Sequence, residues 1–488
     1  MRKILYPIAA IAFFFATSCV NDAEDFNYDK DKSYDVPAGT LLANAQKQLA
    51  DQQSTPSVNL NPLRYFTQYW TAVQYPQESQ FNLITRNVSH NYWTALYRDV
   101  LGNLESARIA VSKETKPDAL SVAEWAIVQN NKYAIIEILK VYTFQILVDT
   151  FGDVPYSEAI TSGIILPKYD DDAEIYPDLI NRVNLALADL DDSQGSFDSG
   201  DVINGGDITN WKLFANSLKV KLGINLADVN ATLAQSTVES AVTAGVILNN
   251  TDNSKFNYSG AAPFYSAIYA ALVASGRNDY VGSETVINVL TSLNDERLKQ
   301  YFLPNSAGNY VGGLNGTTNA YILFSPIGEI LRNPSFPAYF FDASEINFYL
   351  AEAAARGYAV SGSAETYYNA GIETSFEFWG LTAGAATIYL ANPDVAYATA
   401  GTDWKAKIGK QAWLALFNRP VESWNSYRRL DVPTLVAPPT AVPAAEGQIP
   451  KRLTYPINEQ TVNRVNLEAA SSAIGGDKLQ TRIFWDIN

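Results

Sequence analysis

Apolar residues recur every three to four positions through most of this chain, the period of helices buried on one face. Ser121-Val122-Ala123-Glu124 has the capping-box spacing, in which a hydroxyl and a carboxylate satisfy the first N–H groups of a helix. Ile135, Ile136, Leu139, Tyr142 and Ile146 then share one face until Gly152, and Pro155 forbids a return to helix. A second helix is predicted with Pro177 in its first turn and a stripe of Leu179, Ile180, Val183, Leu187 and Leu190. A third follows Asp207 and Thr209 and buries Trp211, Phe214, Ala215, Leu218 and Leu222. A fourth starts near Asp342, with Ile346, Tyr349, Leu350, Ala353 and Ala354 on its inner face. Two more are predicted by Tyr368, Ile372, Phe376 and Trp379, and by Trp404, Ile408, Ala412 and Leu416. From Thr40 onward the pattern predicts an all-α body, although it shows no clean helical-repeat self-similarity.

Five long stretches break the period: 54–88, 251–280, 301–339, 383–402 and 432–456. They are rich in Gly, Pro, Asn and aromatic residues. Loops longer than about fifteen residues in a compact domain are usually functional or disordered, and these hold too many Tyr, Phe and Trp for disorder. The expectation is an ordered loop face on a helical scaffold. Tyr69, Trp70, Tyr75 and Phe81, interleaved with Gln68, Gln74, Gln77, Glu78 and Asn82, are the first candidate binding set. Tyr310, Asn315, Asn319 and Tyr321 form the second. Flat rings stack on sugar faces or peptide side chains while amides read hydroxyls or backbone groups. Against this stands the ordinary fate of such rings, which is core packing.

The N-terminus changes the expected compartment. Arg2 and Lys3 precede an apolar run from Ile4 to Phe15, too short to span a membrane and suited to a cleaved signal, 1–18. Ala16-Thr17-Ser18 leads into Cys19, the only cysteine, where a lipoprotein signal peptidase would cut. The alternative is an ordinary secretory signal with an incidental cysteine. Lipidation of Cys19 would supply stable anchoring through several acyl chains. The stretch 19–37 is acidic and poor in apolar residues, as a flexible tether would be, and 38–488 reads as one helical domain. The formal charge is −16, from 35 basic and 51 acidic residues, which argues against nucleic-acid binding and against attraction to anionic headgroups. Any hold on the membrane then falls to the lipid.

Catalytic chemistry has little to build on. His90 is the single histidine and sits at a helix start, where capping or packing is its expected role; no catalytic residue is assigned. Asp170-Asp171-Asp172 with Glu174 offers oxygens to calcium, but negative charge at a helix N-terminus is the reading taken, so neither a metal ligand nor a cofactor is expected. Trp413, Trp424, Arg428 and Arg429 set arginines beside tryptophans, a combination that can grip anionic or planar ligands.

Asp149-Thr150-Phe151-Gly152-Asp153-Val154-Pro155-Tyr156-Ser157-Glu158-Ala159 resembles the hallmark of the SusD/RagB family. Ile175-Tyr176-Pro177-Asp178-Leu179, Asn204-Gly205-Gly206-Asp207, Tyr349-Leu350-Ala351-Glu352-Ala353-Ala354, Ile449-Pro450-Lys451-Arg452 and Phe484-Trp485-Asp486 resemble further family blocks, in order along the chain. The resemblance implies a tetratricopeptide-like helix-pair scaffold whose long loops form the ligand-binding face. It implies a lipoprotein on the outer face of the outer membrane that binds an oligosaccharide or oligopeptide. Its partner would be a SusC-like TonB-dependent transporter, for which it acts as a lid, with no enzymatic activity and no cofactor. Trp413, Trp424, Arg428 and Arg429 lie in a block that also resembles the family's, which implies a structural role or a transporter contact rather than a ligand contact. The rival readings are a helical-repeat scaffold that binds only protein partners and, behind it, a lipid-anchored glycoside hydrolase.

Overall fold

The computed structural model describes residues 36–488; the signal segment 1–18, Cys19 and nearly all of the tether 19–37 lie outside them. Helices dominate: α1 (Ala38–Ser54), α2 (Gly102–Val111), α3 (Val122–Phe151), α4 (Asp172–Asp189), α5 (Ile208–Asn225), α6 (Ala231–Ala244), α7 (Glu284–Ser292), α8 (Ala343–Ala355), α9 (Ala364–Phe378), α10 (Ala383–Leu390), α11 (Trp404–Ala415), α12 (Pro420–Leu430) and α13 (Arg464–Ala473). α1 packs on α2, α3 on α4, α5 on α6 and α8 on α9, so the body is all-α and built from helix pairs. Among the described residues no helix is long and apolar enough to cross a membrane.

Most helix starts follow the predicted chemistry. Ser121 Oγ accepts from Glu124 N while Glu124 Oε2 accepts from Ser121 N, completing the capping box of α3. Asp207 and Asp342 cap α5 and α8. Two starts differ from the expectation. α4 begins at Asp172, capped by Asp171, so Pro177 lies inside the helix rather than in its first turn. The missing N–H is tolerated because the stripe Ile175, Tyr176, Leu179, Ile180 and Val183 is buried and holds the helix in place. α10 occupies part of the expected loop 383–402; Thr382 caps it, and its alanines favour helix without needing an amphipathic signal.

The centre of the core explains the family-like motif. Asp149, at the end of α3, is fully buried, and its carboxylate accepts from Tyr176 Oη at 2.5 Å, Asn425 Nδ2 at 2.8 Å, Trp485 Nε1 at 2.9 Å, Asn225 Nδ2 at 3.3 Å and also Gln145 Nε2. Arg428 donates to the Asp149 carbonyl at 2.7 Å. One carboxylate thereby joins α3, α4, α5, α12 and the C-terminal segment. Burial raises its pKa, and the Tyr176 hydroxyl is the largest influence holding it down. Gly152 then takes φ +78°, which ends α3 in a conformation that suits glycine. Asp170 receives the following turn, accepting from Tyr156 N at 3.1 Å and Ser157 N at 2.8 Å.

Two small antiparallel ribbons organise the loops. β1 (Trp70–Ala72) pairs with β3 (Tyr280–Gly282), Trp70 opposite Gly282 and Ala72 opposite Tyr280. β2 (Ser254–Phe256) pairs with β4 (Ala338–Phe341) across a register irregularity at Ser254/Lys255. The first ribbon fixes the loop 303–326: Gly313 N donates to Gly282 O at 2.8 Å, Gly282 N to Ser325 O at 2.9 Å and Asn319 N to Val73 O at 3.1 Å.

Candidate functional site

Where β1 ends and β3 begins, three loops meet around Tyr75. Val73 N donates to Asp279 O at 2.9 Å, which holds the segment leaving β1 beside the one entering β3. Beyond that bond Gln74 and Tyr75 turn outward, Tyr75 at φ +57° and 47% exposed. The Arg277 guanidinium lies 5.3 Å and that of Arg86 5.6 Å from the Tyr75 ring centre. Each arginine has a carboxylate partner. Arg277 binds Asp279 through Nε at 2.7 Å and Nη2 at 3.0 Å, and Arg86 Nε lies 2.5 Å from Glu78. Burial raises the Glu78 pKa, and the Arg86 charge opposes that rise. The Tyr75 ring thus lies beside two cations, each paired with an acid, as a half-exposed platform.

Two clefts open from this platform. The larger, about 750 Å³, is lined by Tyr75, Arg277, Asn278, Thr318, Asn319 and Tyr321 among others. The smaller, about 390 Å³, is lined by Tyr65, Tyr75, Arg86, Arg277 and a wall of alanines. Gln74, Tyr75, Arg277 and Asp279 belong to both. Both volumes fall in the range that takes a small ligand or a segment of a larger one.

Of the seven residues expected to touch ligand, the structure brings Tyr75, Asn319 and Tyr321 to one cleft. Tyr321 is half-buried, its hydroxyl accepting from Arg332 Nη2 at 3.1 Å. Asn319 reaches the wall but is spent on the protein. Its amide nitrogen donates to Ala72 O and Leu314 O, and its oxygen accepts from Leu314 N, so it holds the loop rather than reading a ligand. Tyr69, Trp70 and Phe81 are corrections to the expected set, because all three are buried. Tyr69 stacks on Trp413 at 5.5 Å, Trp70 packs on Tyr280 at 5.4 Å under the Arg64 guanidinium, and Phe81 meets Phe66 edge-on at 5.5 Å. Rings so enclosed have no face to offer. Tyr310 packs partly against the core and does not line either cleft.

The residues that sequence reasoning missed are Arg86, Arg277 and Asp279. The signal that could have found them is the charged turn Gly276-Arg277-Asn278-Asp279 inside an aromatic loop. Trp413, Trp424, Arg428 and Arg429 are buried, with Arg428 3.7 Å from the Trp424 ring centre and Arg429 paired to Glu352. His90 contacts Thr94 and Asn458 at 3.5 and 3.4 Å and stands apart from both clefts.

One carboxylate cluster lies elsewhere. Asp153, Asp171 and Asp172 approach closely enough to hold a metal ion. Backbone N–H groups already use one oxygen of each: Asp172 N donates to Asp153, Ala173 N to Asp171 and Phe484 N to Asp172. Burial raises Asp153 to about 6 and Asp172 to about 7. The arrangement serves the start of α4 and its seam with the C-terminal segment.

A family model described as starch-binding and associating with the outer membrane matches residues 30–456. No curated protein matches the chain. Among solved structures, a chitin-binding protein is 25% identical with a TM-score of 0.80, covering 92% of this chain and 100% of its own. A chitin-binding SusD homologue from Flavobacterium johnsoniae is 24% identical with a TM-score of 0.76, covering 92% of this chain and 98% of its own. A SusD homologue from Bacteroides uniformis is 24% identical with a TM-score of 0.77, covering 94% and 100% respectively.

Proposed function

The chain belongs to the SusD-like family, and from that premise we propose that it is a cell-surface lipoprotein that captures an oligosaccharide and hands it to an outer-membrane transporter. The observation that carries this reading is the pair of clefts meeting at Tyr75, on loops held by the β1/β3 ribbon. A ring platform flanked by amides and charge-neutral arginine–carboxylate pairs suits a polar, uncharged chain with flat faces. Two clefts sharing a wall suit an oligomer better than a single sugar. The relatives named for chitin binding support a glycan over a peptide.

The reading includes capture without turnover, in keeping with a family model and a solved relative that are both described by binding. It includes a lipid on Cys19 and, as partner, a SusC-like TonB-dependent barrel over which the protein sits as a lid. The test is calorimetric titration of residues 20–488 with panels of neutral oligosaccharides and mixed oligopeptides, with product analysis on the same samples. Binding of glycans alone, with products unchanged, is the expected result. Binding of peptides alone, or release of shorter products, would replace the reading.

A further inference from the structure

The smaller cleft has a composition that narrows the ligand. The apolar part of its lining is Val58, Ala267, Ala270 and Ala271, and the alanines come from a short helix (Ala267–Tyr269) that runs into a π-helical turn (Ala270–Ala274). Such turns recur at functional sites. Arg86 and Arg277 line the same chamber. Arg277 commits Nε and Nη2 to Asp279, and Arg86 approaches Glu78 through Nε. Among the described residues Glu78 is the one ion-pair partner of Arg86. The chamber therefore presents N–H donors without net charge, because Glu78 and Asp279 balance the two cations, beside a surface shaped for something small and apolar.

Resting on the glycan reading above, we infer that this chamber recognises the acetamido group of an N-acetylated amino sugar. A carbonyl oxygen accepts from the arginine N–H groups while the methyl lies against the alanine wall. The sugar ring meets Tyr75, which forms the partition between the two clefts. The alternatives fit less well on the same residues. A plain hydroxyl would leave the apolar wall facing water, and a carboxylate would meet the Asp279 charge within the chamber. A site built to pair its donors discriminates against an analogue lacking the acceptor, because the donors are then left unpaired.

The test compares β-1,4-linked N-acetylglucosamine oligomers with cello-oligosaccharides, which have the same backbone without the acetamide, and with oligogalacturonates. Residues 20–488 are titrated with each at equal chain length. The expected result is at least about 10-fold tighter binding of the acetylated oligomer than of the glucose oligomer. Saturation-transfer NMR is expected to show its strongest enhancement at the acetyl methyl. Ala270→Leu, which fills the chamber, and Arg277→Gln, which removes an exposed donor, should each reduce the preference below about 2-fold while thermal unfolding stays unchanged. Equal binding of acetylated and glucose oligomers, or tighter binding of the uronates, would overturn the inference and leave glycan capture standing. Absence of binding to every glycan would overturn the reading beneath it.

Discussion

Tyr75 and Trp70 come from one stretch of chain and have opposite fates. Trp70 is 1% exposed and packed on Tyr280, whereas Tyr75 is 47% exposed beside two arginines. Trp70→Ala should therefore cost about 3–5 kcal/mol of stability, the usual range for emptying a large aromatic site. Tyr75→Ala should change stability by no more than about 0.5 kcal/mol but weaken oligosaccharide binding about 10-fold. Denaturant melts and titrations of the two variants check this; a stable Trp70→Ala protein with lost binding would reverse the assignment. The sequence placed all these rings in one aromatic loop, and nothing in their spacing separated core from surface. That separation comes from β1, whose pairing with β3 turns Trp70 inward, and from the left-handed backbone at Tyr75 that turns the next ring out.

At the scale of elements, caps and apolar stripes were legible because they act within a few residues. The capping box of α3 and the aspartates that start α5 and α8 are local devices and appear where the sequence puts them. α10 and the early start of α4 were not legible from the apolar pattern, since a cap at Thr382 and one at Asp171 start them without a stripe in the first turn to mark them. The α4 start also makes a pH prediction. Asp172 and Asp153 have folded pKa values of about 7 and about 6, raised chiefly by burial, against about 3.9 in an unfolded chain. The folded state thus binds these protons more tightly than the unfolded one. Their contribution to stability is greatest below about pH 4 and declines as pH rises to about 7. The two carboxylates interact, so the decline belongs to the pair. Asp172→Asn keeps an acceptor for Phe484 N and removes the buried charge. It should raise stability at pH 8 by about 1–3 kcal/mol and flatten the slope between about pH 4 and pH 7. Urea melts across that range check it, and a slope unchanged in the variant would refute the assignment.

For the whole molecule, the proposed lipid on Cys19 is the feature on which cellular function turns. In the proposed reading, membrane attachment falls to Cys19. Cys19→Ser should move the protein from the outer-membrane fraction to the soluble one and abolish palmitate labelling; retention in the membrane would point to the transporter as the anchor. The sequence alone determined the helical class, the order of the principal helices and the family, because each is encoded by short-range periodicity, caps and motifs that survive without their surroundings. It also located the loops that carry the clefts. Only the tertiary structure decided which residues line them. Asn319 became a brace, Tyr69, Trp70 and Phe81 became core, and Arg86 and Arg277, distant in sequence, met at Tyr75. The physical reason is that burial is a property of what packs against a residue. In irregular segments, where no period marks an inner face, that is settled by strand pairing and hydrogen bonds between parts of the chain far apart in sequence.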